Sequence, residues 1–115
     1  MSRVLMLEDH PDVADSIVRA LDLRGHSVVL ATTVAEARAA YEVDGFDVIL
    51  VDYELPDGTG LNFLDTIRGS DRAMTVLWSG LDRSREVTDS GLDVDYVFSK
   101  GDPGALFDAL ETLPS

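Results

Sequence analysis

The chain has no cysteine and only one lysine, Lys100, among its 115 residues. Without cysteine it can build neither a disulfide framework nor a thiolate metal site, which is typical of a protein from a reducing compartment. No apolar run approaches the roughly 20 residues that a membrane-spanning helix needs, and the first residues lead into a strand rather than a signal peptide. We therefore expect a cytoplasmic protein that does not enter a membrane.

Positive charge is scarce throughout. Nine Lys and Arg residues face 22 Asp and Glu residues, which gives a net charge of −13. Such a charge repels the phosphates of nucleic acids and anionic membranes, so we expect no nucleic-acid partner and no membrane partner through these residues. Hydrophobic residues make up 45% of the chain, enough for a core of its own, so residues 1–115 are predicted to form a single domain.

What is present is a regular alternation of short apolar runs and helical patterns, with no repeat and no linker. Strands are predicted at 3–7, 27–31, 48–51, 74–78 and 95–99. Helices are predicted at 11–24, 33–43, 61–68 and 103–113, with a weak, mostly polar one at 81–91. Alternating strands and helices predict an α/β fold in which a doubly wound parallel sheet carries helices on both faces.

Polar residues stand at the ends of four of the predicted strands. Glu8 and Asp9 follow the first strand, Asp52 ends the third, Ser79 follows the fourth and Lys100 follows the fifth. In a five-stranded sheet of the flavodoxin-like order 2-1-3-4-5, an order taken from known doubly wound sheets, these ends are neighbours. A single strand-end aspartate is often no more than the cap of a turn, so the prediction of a site depends on the whole set.

Three carboxylates brought together cannot all stay ionised without a cation, because like charges raise one another's pKa. Oxygen ligands with no His or Cys among them favour a hard ion, above all Mg²⁺. Lys100 adds a compact positive charge and Ser79 a hydroxyl donor, so the set predicts a cradle for a phosphoryl group on Asp52. A carboxylate can form such an aspartyl phosphate as a nucleophile, and the transfer depends mainly on positioning and charge neutralisation.

Over essentially its whole length the sequence resembles the receiver domains of two-component response regulators, chemotaxis receivers among them. The resemblance rests on VLMLEDHPD at 4–12, DYELPDGTG at 52–60, WSG at 78–80 and SK at 99–100. It implies that Asp52 accepts a phosphoryl group from the phosphohistidine of a sensor histidine kinase or from a phosphotransfer protein. It also implies the other roles: Mg²⁺, or Mn²⁺ in its place, is held by Glu8, Asp9, Asp52 and the backbone carbonyl of Glu54, and phosphoryl oxygens are bound by Ser79 and Lys100.

The resemblance further implies a signalling switch rather than an enzyme. Such a switch catalyses only its own phosphoryl uptake and slow hydrolysis, and it acts on an output domain or a downstream protein through the fourth helix, fifth strand and fifth helix. A homodimer through the last helices is possible. Three departures from the family pattern matter. Glu8 replaces the commoner Asp and is expected to reach the ion through water. Gly101 replaces the proline that usually follows the lysine, so no cis peptide is expected there, and Val97 replaces the usual aromatic switch residue. We therefore predict that the order of the weak segment 81–91 carries the signal.

Two other functions were weighed. An aspartate-nucleophile phosphatase would have its nucleophile on the first strand, a second Asp two residues later, and a cap insertion. Here the candidate nucleophile Asp52 is on the third strand, the position two residues later is Glu54, and there is no cap insertion. A flavodoxin-like cofactor carrier would have a Ser, Thr and Gly-rich phosphate loop after its first strand, where this chain has Glu8 and Asp9. Among further residues, we expect His10 and His26 to be solvated, Trp78 to pack in the core or at an interface, and Asp57 to stabilise a turn.

Overall fold

The computed structural model describes residues 2–43, 45–67, 73–80, 83–92, 94–99 and 103–110. Within these ranges there are seven strands: β1 Arg3–Leu7, β2 Ser27–Ala31, β3 Val48–Asp52, β4 Glu54–Leu55, β5 Gly58–Thr59, β6 Met74–Ser79 and β7 Tyr96–Ser99. The five helices are α1 Pro11–Leu23, α2 Val34–Val43, α3 Gly60–Thr66, α4 Ser84–Ser90 and α5 Pro103–Leu110. No helix among the described residues is long and apolar enough to span a membrane.

Five strands form one parallel sheet in the order β2-β1-β3-β6-β7. Counted along the chain without the two short strands, this is the predicted flavodoxin-like order 2-1-3-4-5. β3 lies at the centre, and all five of its residues are buried. The uninterrupted aliphatic run of this strand follows from its position, because a central strand of a doubly wound sheet is covered on both faces.

The two faces of the sheet carry separate cores. On one face α1 and α5 pack on the sheet, with Ile17, Leu21 and Leu106 fully or nearly fully buried. On the other face α2 and α3 supply Val34, Ala37, Phe63 and Leu64, and α4 adds only the partly buried Val87. The alternation of side chains along each strand thus divides the apolar residues between two helical layers. The layering confirms the predicted doubly wound sheet.

α4 is the least buried of the described helices. None of the seven residues of Ser84–Ser90 is buried. This agrees with the polar character of the predicted segment 81–91, whose first two positions lie outside the described residues. A helix with so small an apolar face receives little stability from packing, so its order depends on a few contacts near its ends.

The loop after β3 is more ordered than the sequence indicates. Instead of a simple turn it forms a small antiparallel hairpin of β4 and β5, and the Gly60 N–H donates to the Tyr53 carbonyl at 2.9 Å. Asp57 lies in the turn between β4 and β5, as expected, but its side chain has a second role that the sequence does not indicate. Its carboxylate accepts from the N–H groups of Val34 and Ala35 at 2.7 and 3.1 Å, so it caps α2, a helix 22–23 residues earlier in the chain. These hydrogen bonds hold the pKa of Asp57 below its usual value.

Other element ends differ from the predicted ones by one or two residues. β6 continues to Ser79, β7 begins at Tyr96 rather than at residue 95, and α3 begins at Gly60 behind a Thr59 hydroxyl that accepts from the Asn62 N–H at 3.1 Å. Trp78 was expected either in the core or at an interface; it packs in the core and is 2% exposed. The predicted last residue of the third helix, at 68, and the predicted end of the last helix, at 111–113, lie outside the described residues.

Gly60 is expected to tolerate no side chain. A Cβ at this position would overlap the Asp52 carbonyl oxygen and lie 2.8 Å from Val51 Cγ2, and neither β3 atom can yield without moving the strand. We expect Gly60→Ala to lower the free energy of unfolding by about 1–3 kcal/mol, the usual effect of overpacking. Urea denaturation measures it. Gly45→Ala is the matched control, since a Cβ there meets nothing within 4 Å. Equal midpoints for the two variants would contradict the close packing of α3 on β3.

Candidate acidic site at the strand ends

Two acidic side chains are buried next to each other at the carboxyl edge of the sheet. Leu7 of β1 and Val51 of β3 are register partners, so the residues that follow them, Glu8 and Asp52, stand at the same level. Glu8 is 1% exposed and Asp52 5% exposed. Burial of this kind disfavours the ionised carboxylate unless a partner compensates, and two neighbouring carboxylates disfavour it further.

Asp9 joins Glu8 and Asp52, so the structure brings these three acidic residues together at one edge of the sheet. One ligand atom from each of Glu8, Asp9, His10 and Asp52 lies within 4.8 Å of the other three. The Asp52 carboxylate is held by its own chain, because Oδ1 accepts from the Tyr53 N–H at 2.8 Å. Three carboxylates at this spacing are the oxygen ligands that Mg²⁺ and Mn²⁺ prefer, so the residues present fit such an ion.

His10 is exposed to solvent, as expected, but the sequence analysis missed that it also lies against the acidic group. Its side chain is 65% exposed, but its Nδ1 lies 3.1 Å from Glu8 Oε2, 3.3 Å from Asp9 Oδ1 and 3.9 Å from Asp52 Oδ2. The signal in the sequence was its place directly between the acidic pair and Pro11, which starts α1.

A cleft of about 340 Å³ opens beside Asp52 and has Ser79 in its wall. Ser79 is 5% exposed at the end of β6 and pairs in register with Ser99, the last residue of β7. Lys100 follows Ser99 directly in the sequence but lies outside the described residues, so its predicted role stays a prediction. Glu54 lines the same cleft, and the predicted role of its backbone carbonyl stays a prediction too.

Arg83 is the second residue that the sequence reasoning missed. It lines the cleft with a side chain only 19% exposed, and its guanidinium carbon lies 4.1 Å from the centre of the Tyr53 ring. It donates to Glu86 at 2.9 Å and to Glu54 at 3.4 Å. No local sequence pattern indicates a role for Arg83, because its partners Glu54 and Tyr53, in the loop after Asp52, stand 29 and 30 positions earlier. It supplies a cation at a cleft for which the sequence analysis considered only Lys100.

Comparison with known proteins decides the family. The model of the response regulator receiver domain matches residues 4–111. The chain belongs to this family. Among curated proteins, it is 35% identical over 100 residues to the transcriptional regulatory protein KdpE of Mycobacterium tuberculosis, a match that covers 84% of this chain and 44% of KdpE. This receiver therefore spans less than half the length of that relative.

Solved receiver structures share the fold. A CheY-like receiver domain from Methylobacillus flagellatus matches with a TM-score of 0.84 at 23% identity, covering 97% of this chain and 98% of that one. TrrA from Thermotoga maritima, solved in complex with Mg²⁺-BeF, matches with a TM-score of 0.83 at 22% identity, covering 98% and 100%. The receiver family is a two-component signalling module and not an enzyme in the ordinary sense, which excludes the phosphatase and the cofactor carrier.

Millimolar Mg²⁺ should stabilise this receiver. A cation that binds only the folded cluster relieves the repulsion among Glu8, Asp9 and Asp52, and a ligand at 100 times its Kd adds about 2.7 kcal/mol to the free energy of unfolding. We expect the melting temperature to rise by several degrees at constant ionic strength. The Asp52→Asn variant should lose most of that rise. A melting temperature indifferent to Mg²⁺ in the unaltered chain would contradict a metal site here.

Proposed function

We propose that this receiver is a phosphorylation-controlled switch in which Asp52 accepts a phosphoryl group in a Mg²⁺-dependent reaction. The observation that carries the proposal is the buried Asp52 carboxylate, which opens on a cleft beside Ser79 and stands within 4.8 Å of two further acids. The Mg²⁺-BeF complex of TrrA, a receiver of the same fold, supports the same chemistry.

Each residue at the strand ends has a part in the proposed reaction. A carboxylate oxygen of Asp52 forms the bond to phosphorus while the bond from phosphorus to the donor's histidine nitrogen breaks. Glu8, Asp9, Asp52 and the Glu54 carbonyl would hold Mg²⁺, and the bound ion would neutralise charge on the phosphoryl oxygens. Ser79 donates its hydroxyl hydrogen to one of those oxygens and Lys100 pairs with another. The hydrogen bond from the Tyr53 N–H keeps the Asp52 carboxylate oriented for the attack.

The proposed partners follow from the chemistry and from the relatives. The phosphoryl donor is a sensor histidine kinase or a phosphotransfer protein in the cytoplasm. The recipient of the signal is an output domain or a downstream protein, and the printed name of KdpE, a transcriptional regulatory protein, makes a transcriptional output the first to test. With a net charge of −13, these residues would not themselves contact DNA. A homodimer through the last helices is a further arrangement that we propose for this switch.

Phosphoryl uptake tests the proposal. Incubation with acetyl phosphate and Mg²⁺ should add one phosphoryl group, seen by intact mass, and the reaction should stop when the metal is chelated. Asp52→Asn should take up none, because an amide is neither a nucleophile here nor a good metal ligand. Asp15→Asn, which alters an exposed acid of α1 paired with Arg19, is the control and should behave as the unaltered chain does. Equal labelling of the Asp52 variant would refute the site.

We further propose that the phosphoryl group is read through α4, and Arg83 supports a route. This residue precedes α4 and pairs with Glu54 and Tyr53, the two residues that follow Asp52 in the chain. A change at Asp52 that moves this loop therefore changes the partners of the cation that tethers the helix. Because α4 buries no residue of its own, the tether has a large share in its order. A hydrogen bond to the phosphoryl group from Ser79 is worth roughly 1.5–3 kcal/mol, enough to shift a two-state equilibrium tenfold.

Amide exchange across residues 83–91 should slow when beryllofluoride and Mg²⁺ mimic the phosphoryl group. Arg83→Met, which keeps the apolar stem and removes the charge, should weaken that response. Arg85→Met is the matched control, since Arg85 is 91% exposed and, among the described residues, pairs with Asp89 of its own helix. If α4 is already well protected and does not respond while α5 does, this route is wrong. An unchanged response in the Arg83 variant would remove Arg83 from it.

A further inference from the structure

His10 occupies a fixed position within the acidic cluster. It is the residue before α1, with Pro11 at the first helical position, and its backbone is extended at φ −91° and ψ 110°. Its own N–H donates to Glu8 Oε2 at 3.4 Å, and its Nδ1 lies 3.1 Å from the same oxygen. The imidazole is thus attached at a defined distance from the carboxylates, although 65% of its side chain is exposed to solvent.

The spacing of these atoms matches a coordination polyhedron. In an octahedral site with ligands at about 2.1 Å, neighbouring ligand atoms lie about 3.0 Å apart and opposite ones about 4.2 Å apart. The distances of 3.1 and 3.3 Å from His10 Nδ1 to Glu8 and Asp9 are close to the spacing of neighbouring ligands. The distance of 3.9 Å to Asp52 is closer to that of opposite ligands. An ion placed among the three carboxylates would therefore meet the imidazole nitrogen without a rearrangement of the backbone.

Whether His10 Nδ1 coordinates the bound ion depends on which metal it is. Mg²⁺ prefers oxygen and keeps its water, so it does not select an imidazole, and the exposed ring can turn into solvent at little cost in packing. Ni²⁺, Co²⁺ and Zn²⁺ bind imidazole well and follow the usual order of affinity. We propose that His10 is a direct ligand when this cluster binds a borderline first-row metal ion, and that it is displaced when the cluster binds Mg²⁺. The inference rests on the proposed metal site and adds a residue that sets its selectivity.

Metal affinity of the unmodified chain and two histidine variants tests the inference. His10→Asn keeps a side chain suited to the position before a helix and removes the imidazole. His26→Asn is the matched control, because His26 is the only other histidine and precedes β2 at the opposite edge of the sheet. Titration calorimetry with Ni²⁺ and with Mg²⁺ gives each Kd, and melting curves check the fold. Quenching of Trp78, the one tryptophan and the register partner of Asp52, gives a second readout.

We expect His10→Asn to weaken Ni²⁺ binding about tenfold or more, since loss even of an outer-shell partner commonly costs 10- to 100-fold. Its Mg²⁺ affinity should stay the same or rise, and His26→Asn should change neither. Equal Ni²⁺ affinity in the unaltered chain and the His10 variant would overturn the inference and leave the Mg²⁺ site intact. A parallel loss of both metals, repeated in His10→Gln, would also overturn it, because His10 would then only support the loop. Failure of the unaltered chain to bind Mg²⁺ would instead count against the proposed function.

Discussion

Repulsion between buried carboxylates is the constraint on which this receiver depends. Glu8 and Asp52 stand side by side at 1% and 5% exposure, with Asp9 close by. Burying neighbouring carboxylates carries a cost of desolvation and of repulsion that their partners must offset. We therefore expect the site to respond to a cation and to a change of charge on Asp52. A folded state that is destabilised at one point responds most strongly to a ligand that relieves it.

The fold both creates this cost and contains it. Parallel strands bring the ends of β1, β3 and β6 to one edge of the sheet. The register between β1 and β3 then places Glu8 and Asp52 side by side. The loop that follows Asp52 is anchored in two directions. Gly60 lets α3 close on the end of β3, and Asp57 caps α2 on the same face of the sheet. The Asp52 carboxylate thus lies among well-packed elements, while α4 buries none of its residues and is joined to the loop after Asp52 through Arg83.

The strands, the helices and the position of Asp52 could be predicted from the sequence, because each depends on a pattern of residues close together in the chain. Period-two and period-3.6 patterns locate the strands and the helices, the aliphatic run 48–51 indicates a central strand, and a strand end identifies Asp52. Two of the missed features are contacts between segments far apart in the chain. Asp57 caps a helix 22–23 residues away, and Arg83 meets Glu54 across 29 residues. Propensity and periodicity carry no information on such pairs, because an exposed Asp or Arg satisfies the same pattern whether or not it finds a distant partner.

The most direct test of the account is to locate the phosphoryl group chemically. After reaction with acetyl phosphate and Mg²⁺, reduction with borohydride converts an aspartyl phosphate into homoserine, which stays in place during proteolysis and mass spectrometry. The account predicts homoserine at residue 52 and nowhere else, and none when Mg²⁺ is withheld. Homoserine at another aspartate, or a phosphate that survives on a hydroxyl such as that of Ser79, would contradict the central claim that the buried carboxylate at the end of β3 is the acceptor.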